Sequence, residues 1–292
     1  MFVPTAERNH HSKFINYLIS KFNFDNYLEI GVFQGNNFNS IECEYRQGVD
    51  PYPVLPGLTI QFKDNFIDYN CIVGIHNAPQ FHKGTPWIGG SMSQEQFLTS
   101  IGSDVTQDPK RPGTIFQMTS NQFFDQWNDM IENIPKINGP SRDLTDGETI
   151  NVEEVKYDVI FIDGDHSLFQ VNMDFINSLD VLKKDGFILI DDIEPPPGEE
   201  KDAQPWELWC FLRATRPDLS MCTVRTKIEV EAGRRVDYNG QPAPLGVIKR
   251  GGQETYDWPK DVPYSDFEYF MENKDEILNV LEYSELDKFL ES

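Results

Sequence analysis

Apolar residues in this chain alternate between helical spacing and short continuous runs, a pattern typical of an α/β fold. Phe14, Tyr17, Leu18 and Phe22 share one face of the first predicted helix. Helices are predicted at 13–22, 38–45, 121–131, 168–182, 206–215 and 274–290, and strands at 27–31, 47–50, 114–118, 158–162, 187–190, 221–227 and 245–250. This order favours a doubly wound, mostly parallel sheet. Lys184-Asp185-Gly186 is expected to stop the helix before the fifth strand.

Two polar stretches interrupt this alternation. Residues 53–112, after the second strand, are rich in Pro, Gly, Asn and Gln, with one convincing helix near 93–100. A loop of that length is unusual unless it is functional, so we interpret it as an insertion or lid. A second insertion is predicted at 135–155 and a C-terminal helical extension at 252–292. We expect residues 1–292 to form a single domain.

Two of the predicted strands, the fourth and the fifth, end abruptly in polar side chains. Asp163, Asp165 and His166 follow the fourth strand, and Asp191 and Asp192 follow the fifth. Ligands of open α/β sheets bind beyond the carboxyl ends of the strands, so we expect these side chains to lie near a ligand. Carboxylates held together are costly unless a cation, a proton or a ligand neutralises them. Simple capping of the following helices is the alternative interpretation.

A glycine turn follows the first strand. Gly31 and Gly35 let the backbone turn sharply and approach a ligand closely. Phe33 stands where the dinucleotide fingerprint has its middle glycine, which disfavours NAD and FAD. Asp50 ends the second strand and is placed to accept hydrogen bonds from ribose hydroxyls. Together these features predict an adenosyl ligand, and a purely structural turn stays open as the alternative.

These motifs resemble those of class I S-adenosylmethionine-dependent methyltransferases. The resemblance rests on Glu29–Gly35, Gly48–Asp50, Thr119–Ser120 and Ile162–His166. The strand endings are most similar to metal-dependent O-methyltransferases that act on macrolide sugars. The resemblance implies a Rossmann-like methyltransferase fold with seven strands. It also implies a set of cofactor-binding residues: Glu29, Gly31, Gly35, Asn36, Asp50, Ser120 and Asp163.

The same resemblance implies a chemistry for the two strand ends. Asp163, Asp191 and Asp192 would hold Mg²⁺, which prefers oxygen ligands. His166 would act as the general base, with Asp163 as a second catalytic residue, on a hydroxyl of a sugar, a glycan or another small polar acceptor. A plain helix N-terminal role for His166 stays open. So do a metal-independent N- or O-methyltransferase and a non-catalytic adenosyl-binding or scaffold protein.

Composition narrows the partners and the compartment. The net charge of −23 disfavours nucleic acid and anionic membranes, because both require clustered Lys and Arg. Four scattered cysteines fit a reducing compartment, and no apolar run is long enough to cross a membrane. We therefore expect a cytoplasmic enzyme, with homo-oligomerisation as a further expectation. Cys43 is expected in a helix. His10 and His11 are expected on the surface, and a position within reach of the site stays open as their alternative.

Overall fold

The structure confirms an α/β architecture. The computed structural model describes residues 10–33, 37–43, 45–51, 72–76, 113–116, 118–133, 156–195, 198–225, 244–281 and 283–292. Its helices are α1 His10–Phe22, α2 Ser120–Asn133, α3 Leu168–Val181, α4 Pro205–Thr215, α5 Phe267–Leu278 and α6 Tyr283–Glu291. Its strands are β1 Asn26–Ile30, β2 Tyr45–Val49, β3 Ile72–His76, β4 Gly113–Phe116, β5 Tyr157–Ile162, β6 Leu182–Ile190, β7 Leu219–Arg225 and β8 Pro244–Arg250.

The chain divides into two compact units, a smaller one of residues 19–158 and a larger one of residues 1–18 and 159–292. In the smaller unit the strand order is β3-β4-β2-β1, and the neighbours are parallel. In the larger unit the order is β5-β6-β8-β7, with β8 antiparallel to both β6 and β7. The described residues thus contain eight strands instead of the seven predicted. The extra strand, β3, lies within the predicted insertion.

Large apolar side chains form the core of the larger unit. The apolar runs of β5 and β6 are buried, as the sequence predicts: Val159, Ile160, Ile188 and Leu189 are all inaccessible to solvent. Trp209 of α4 packs so closely on β8 that a Cβ at Gly246 would lie 2.6 Å from its ring. A side chain at position 246 would therefore have to displace a tryptophan.

The predicted helix at 38–45 is wrong. Only a single 3-10 turn, Phe38–Ser40, forms there, and Ile41 is already extended. The buried Arg46 explains the early end, because its guanidinium donates to the carbonyls of Phe38 and Ile41 at 3.3 and 3.1 Å. A continuing helix would have used those carbonyls itself. Cys43 is consequently buried outside any helix.

The expected glycine stop at 184–186 is also wrong, because these residues lie inside β6. The chain passes from α3 directly into the strand at Leu182, whose backbone is extended (φ −81°, ψ 133°). Val181 and Leu182 are both buried, so packing fixes the boundary. No left-handed glycine is needed there.

The single helix predicted at 274–290 is in fact two helices. Asn279 ends α5 in the left-handed conformation, with a φ of 51°. The chain then pairs with β7, since Thr223 donates its N–H to Asn279 and accepts one from Leu281, both at 3.1 Å. Hydrogen bonds to a neighbouring strand replace those of the helix between α5 and α6.

Several predictions fall outside the described residues. These are the helix near 93–100, the 135–155 insertion and all of the 53–112 insertion except β3. In the part of the chain that is described, no helix combines the length and the apolar character needed to cross a bilayer.

Candidate active site

The glycine turn after β1 is fixed by buried polar contacts in the smaller unit. Glu29 is 2% exposed, and its Oε2 accepts hydrogen bonds from the hydroxyl of Tyr27 (2.6 Å) and from Nδ2 of Asn37 (2.8 Å). Gly31 has a φ of 87°, a conformation that glycine adopts without strain, and its N–H donates to Val49 at 2.8 Å. The predicted residues Glu29 and Gly31 therefore shape the turn.

Asp50 also supports this turn, a role that the sequence did not predict. Its Oδ2 accepts hydrogen bonds from the backbone N–H groups of Val32 (3.0 Å) and Phe33 (2.7 Å). Phe33 has a left-handed φ of 43°, so the turn is strained at a non-glycine residue. Asp50 holds that conformation in place. Gly35 and Asn36, the other predicted turn residues, lie outside the described residues.

Ser120, the predicted cofactor residue after the third predicted strand, is the first residue of α2 and is buried. The preceding Thr119 caps the helix, because its Oγ1 accepts from the N–H of Gln122 while Gln122 accepts from the N–H of Thr119. Such a reciprocal capping box fixes the entry to the helix. Ser120 is thus held at a helix N-terminus, where backbone N–H groups favour polar ligands.

The carboxylates at the ends of β5 and β6 meet two histidines in the larger unit. We call His11, Asp163, His166, Asp191 and Asp192 the Asp–His cluster. His166 lies between two acids, with Nδ1 3.1 Å from Asp192 Oδ2 and Nε2 3.5 Å from Asp163 Oδ1. His11 Nε2 lies 3.4 Å from Asp191 Oδ2. The structure therefore brings together every predicted residue of these two strand ends except Asp165.

Neighbouring strands position the acidic members of this cluster. Asp163 directly follows β5, and the N–H of Asp191 donates to Ile162 at 3.1 Å, which ties the end of β6 to that of β5. Asp192 adopts a left-handed φ of 60°, which Asp tolerates better than most side chains do. The strained backbone turns its carboxylate, only 2% exposed, toward His166.

Gln204, just before α4, holds the segment that carries His166. Its N–H donates to the carbonyl of His166 at 2.9 Å, and its Oε1 accepts from Leu168 at 3.0 Å. Asp165 is exposed, and its carboxylate accepts a hydrogen bond from the N–H of Ser167. Ser167 is the N-cap residue of α3. Asp165 therefore supports the start of α3, in keeping with the alternative interpretation that these polar residues cap the following helices. The sequence contained no signal for Gln204, because its contacts are 36 and 38 residues away.

His11 is a member of the cluster that sequence reasoning missed. It was expected on the surface, yet its side chain is only 14% exposed and its ring lies 5.4 Å from that of Phe161. The helical period offered a signal, since positions 11, 14, 15 and 18 share one face of α1 and Phe14, Ile15 and Leu18 are fully buried. A histidine on that face had to lie in the interior.

The clustered charges shift the acid–base behaviour of this site. The contact with Asp163 raises the pKa of His166, partial burial opposes this shift, and the charges of Asp192, Asp163 and Asp191 add to the rise. Burial lowers the pKa of His11, but Asp191, Asp163 and Asp192 together more than offset it, so that pKa also lies above its ordinary value. Burial and the charge of Asp191 raise the pKa of Asp163. The cluster therefore retains protons more strongly than isolated side chains do.

The predicted magnesium ligands do not fit a shared ion in this arrangement. Asp163 and Asp192 contact different nitrogens of the same imidazole ring, so the contacting oxygen of each acid already has a partner other than an ion. Among the residues that the structure describes, no group of three or more His, Cys, Asp or Glu side chains could hold a metal ion. The geometry thus gives no support to a metal site formed by Asp163, Asp191 and Asp192.

A family model described as a methyltransferase domain matches residues 28–193, which is more than half of the chain. This chain belongs to that methyltransferase family. The matched segment contains the glycine turn, Asp50 and both acidic strand ends. Family membership confirms, at that level, the prediction of an S-adenosylmethionine-dependent methyltransferase. The subgroup that modifies macrolide sugars is not confirmed.

Solved methyltransferase structures overlap with most of this methyltransferase at low similarity. An O-methyltransferase from Bacillus cereus in complex with SAH has 12% identity, covers 85% of this chain and 84% of its own, and gives a TM-score of 0.44. TomG from Streptomyces achromogenes has 11% identity, coverages of 83% and 80%, and a TM-score of 0.40. Scores this low carry no argument about function. Curated protein sequences gave no match.

Proposed function

We propose that this methyltransferase transfers the methyl group of S-adenosylmethionine to a hydroxyl of a small polar acceptor such as a sugar or glycan, with His166 as the general base. The observation that carries the proposal is the position of His166 between Asp163 and Asp192. Its side chain is 30% exposed, so an acceptor can reach the ring. A base held by a buried carboxylate is a recurring arrangement in enzymes that activate hydroxyl groups.

The two contacts of His166 differ in a way that suits a base. The shorter contact joins Nδ1 to Asp192, which is nearly inaccessible and can hold the ring as the Nδ1–H tautomer. The longer one joins Nε2 to Asp163, which is 35% exposed. The neutral ring would accept the acceptor's proton at Nε2 as the oxygen attacks the methyl carbon. The carbon–sulfur bond breaks in the same displacement, and S-adenosylhomocysteine leaves.

The cofactor is assigned to the glycine turn and its neighbours. Methyl transfer by direct displacement needs in-line positioning more than covalent help. A turn held by Glu29 and Asp50, with Ser120 at a helix N-terminus, supplies fixed polar groups for an adenosyl ligand. Gly31, Gly35 and Asn36 are proposed as further cofactor-binding residues, and a cofactor contact from Asp163 stays a prediction from the sequence.

Magnesium is given no step in this proposal. Each of the three carboxylates contacts an imidazole, an observation that favours the metal-independent reading of the reaction. The magnesium-assisted reading stays a prediction that a turnover assay with Mg²⁺ or with a chelator can test. Oligomerisation and a cytoplasmic location also stay predictions.

Calorimetric titration with S-adenosylhomocysteine tests the cofactor assignment, and a screen of hydroxylated acceptors with methyl-labelled cofactor tests the transfer. Micromolar binding followed by label transfer to an oxygen supports the proposal. Absence of binding, with or without Mg²⁺, overturns it. Tight binding with no transfer to any acceptor favours the adenosyl-binding scaffold, and transfer to a nitrogen favours N-methylation.

Replacing Asp50 by Ala is expected to weaken binding of S-adenosylhomocysteine by roughly 10- to 100-fold. Two N–H groups of the turn, a buried one on Val32 and a partly buried one on Phe33, would lose their acceptor, a loss of about 1–3 kcal/mol. The Asp50→Asn protein is the matched control, because its amide oxygen can accept the same two bonds. Calorimetry on both variants gives the comparison. Equal weakening in the two proteins would contradict the turn-holding role.

The contribution of His166 to the free energy of unfolding is expected to decrease as the pH rises. Its pKa in the folded protein lies above the ordinary value of 6.5, so the fold favours the protonated ring. The contribution is therefore complete below about pH 6.5 and is lost as the pH rises through the raised pKa. Urea unfolding of the wild type and of His166→Gln between about pH 5 and 9 measures this difference. If the difference in free energy of unfolding between the two proteins grew with pH, the raised pKa of His166 would be contradicted.

A further inference from the structure

In the Asp–His cluster, imidazole nitrogens lie beside the three carboxylates that the sequence predicted to bind Mg²⁺. Three carboxylates lie at the ends of two strands, and each has an imidazole nitrogen within 3.1–3.5 Å. An imidazole N–H can donate a hydrogen bond to a carboxylate oxygen, and an imidazolium also carries a positive charge. Each of the three acids thus has an imidazole nitrogen beside a carboxylate oxygen that a metal ion would otherwise bind.

The geometry of His166 separates two of the three acids. Its ring stands between Asp163 and Asp192, and the two ring nitrogens point in different directions. A divalent ion would need oxygens from both acids in one coordination sphere, at about 2.0–2.1 Å each for Mg²⁺. His166 therefore contacts one oxygen from each of the two acids that such an ion would have to share.

His11 engages the third acid from a distant part of the sequence. It lies on α1, its ring is close to Phe161 of β5, and its Nε2 faces Asp191. Because the apolar neighbours of His11 on α1 are fully buried, the packing of the helix fixes where its imidazole lies. Asp191 thus has an imidazole contact of its own, separate from the contacts that His166 makes with Asp163 and Asp192.

We propose that the imidazoles of His11 and His166 take the place of a divalent cation in the Asp–His cluster, and that His11 is a positioning residue for Asp191. Describing His11 as part of an active site rests on the proposed function. The claim that imidazoles replace a cation beside the carboxylates does not depend on the proposed function, because cation binding can be measured without cofactor or acceptor.

Titration with Mn²⁺, followed by the loss of its free electron paramagnetic resonance signal, tests the proposal on the full chain. The wild type is expected to bind Mn²⁺ at this site with a Kd weaker than about 1 mM. His166→Leu removes the ring between Asp163 and Asp192, so we expect binding at least about tenfold tighter. Adding His11→Leu should tighten binding further, because Asp191 then becomes available.

Matched variants separate this effect from a loosened fold. His11→Gln in the His166→Leu background keeps an N–H donor for Asp191 and should not tighten binding. Tyr17→Phe removes a hydrogen bond between α1 and Asp287, away from the cluster, and should leave Mn²⁺ affinity unchanged. Asp191→Asn in the double leucine variant should weaken the new site. Circular dichroism confirms that each variant is folded.

Two outcomes would overturn the proposal. One is stoichiometric, micromolar Mn²⁺ binding to the wild type that Asp191→Asn abolishes, since the acids would then form a metal site despite the imidazoles. The other is unchanged affinity in both folded leucine variants, since the imidazoles would then not be what keeps a cation out. Failure of cofactor binding, by contrast, would overturn the proposed function and leave the metal titration interpretable.

Discussion

His166→Gln is expected to reduce kcat by about 10²–10⁴-fold, the range typical of a lost general base. Glutamine can still form a hydrogen bond with Asp192 or Asp163, but its amide cannot take the acceptor's proton. The cofactor-binding turn is untouched, so S-adenosylhomocysteine affinity should stay within about twofold of wild type. Methyl-label transfer at saturating cofactor, together with calorimetry, measures both quantities.

Ser167→Ala is the control for this variant. Ser167 adjoins the histidine and caps α3, so its loss should cost about 1 kcal/mol of stability while leaving proton transfer intact. Turnover of the Ser167→Ala protein should therefore stay close to that of the wild type. His166→Gln retaining more than about a tenth of the wild-type kcat would exclude His166 as the base.

Lys274→Met is expected to lower the free energy of unfolding by about 3–5 kcal/mol, the largest stability effect that we predict. Lys274 of α5 pairs with Glu194, which is fully inaccessible and lies two residues after Asp192. Removing the lysine would take a positive charge away from a buried carboxylate. Urea unfolding gives the loss, and a Glu194→Gln/Lys274→Met double variant should recover much of it, because no buried charge remains.

An exposed ion pair provides the comparison. Arg216 and Asp218 are 31% and 60% exposed and lie 2.7 Å apart. Exposed pairs contribute about 0–1 kcal/mol, so Arg216→Met should change stability far less than Lys274→Met. Equal effects of the two substitutions would show that burial of Glu194 does not control the loss.

The strand ends show how far sequence patterns reach in this protein. A continuous apolar run is typical of a strand that is buried on both faces of a sheet. The β5 and β6 segments could therefore be located from the sequence pattern alone. Because parallel strands end at one edge, Asp163, His166, Asp191 and Asp192 could be expected together before any coordinates existed. These predictions depend on local sequence and on a general rule of sheet geometry.

The missed elements depend on partners far along the chain. Arg46 ends the helical turn at Phe38–Ser40, and pairing with β7 breaks the predicted C-terminal helix at Asn279. Both events involve hydrogen bonds that compete with a helix already permitted by its local sequence. Local helix propensity, at a few tenths of a kcal/mol per residue, is too weak to predict whether the helix or the competing hydrogen bonds will form.

The sequence by itself determined the α/β class, the family and the carboxylates at two strand ends, because each follows from a local pattern of residues. Only the tertiary structure decided which groups contact those carboxylates. It brought His11 to Asp191 across 180 residues and set His166 between two acids. It also turned Asp50 toward the glycine turn. Such contacts arise from the packing of a helix and the path of a loop, which no short segment encodes.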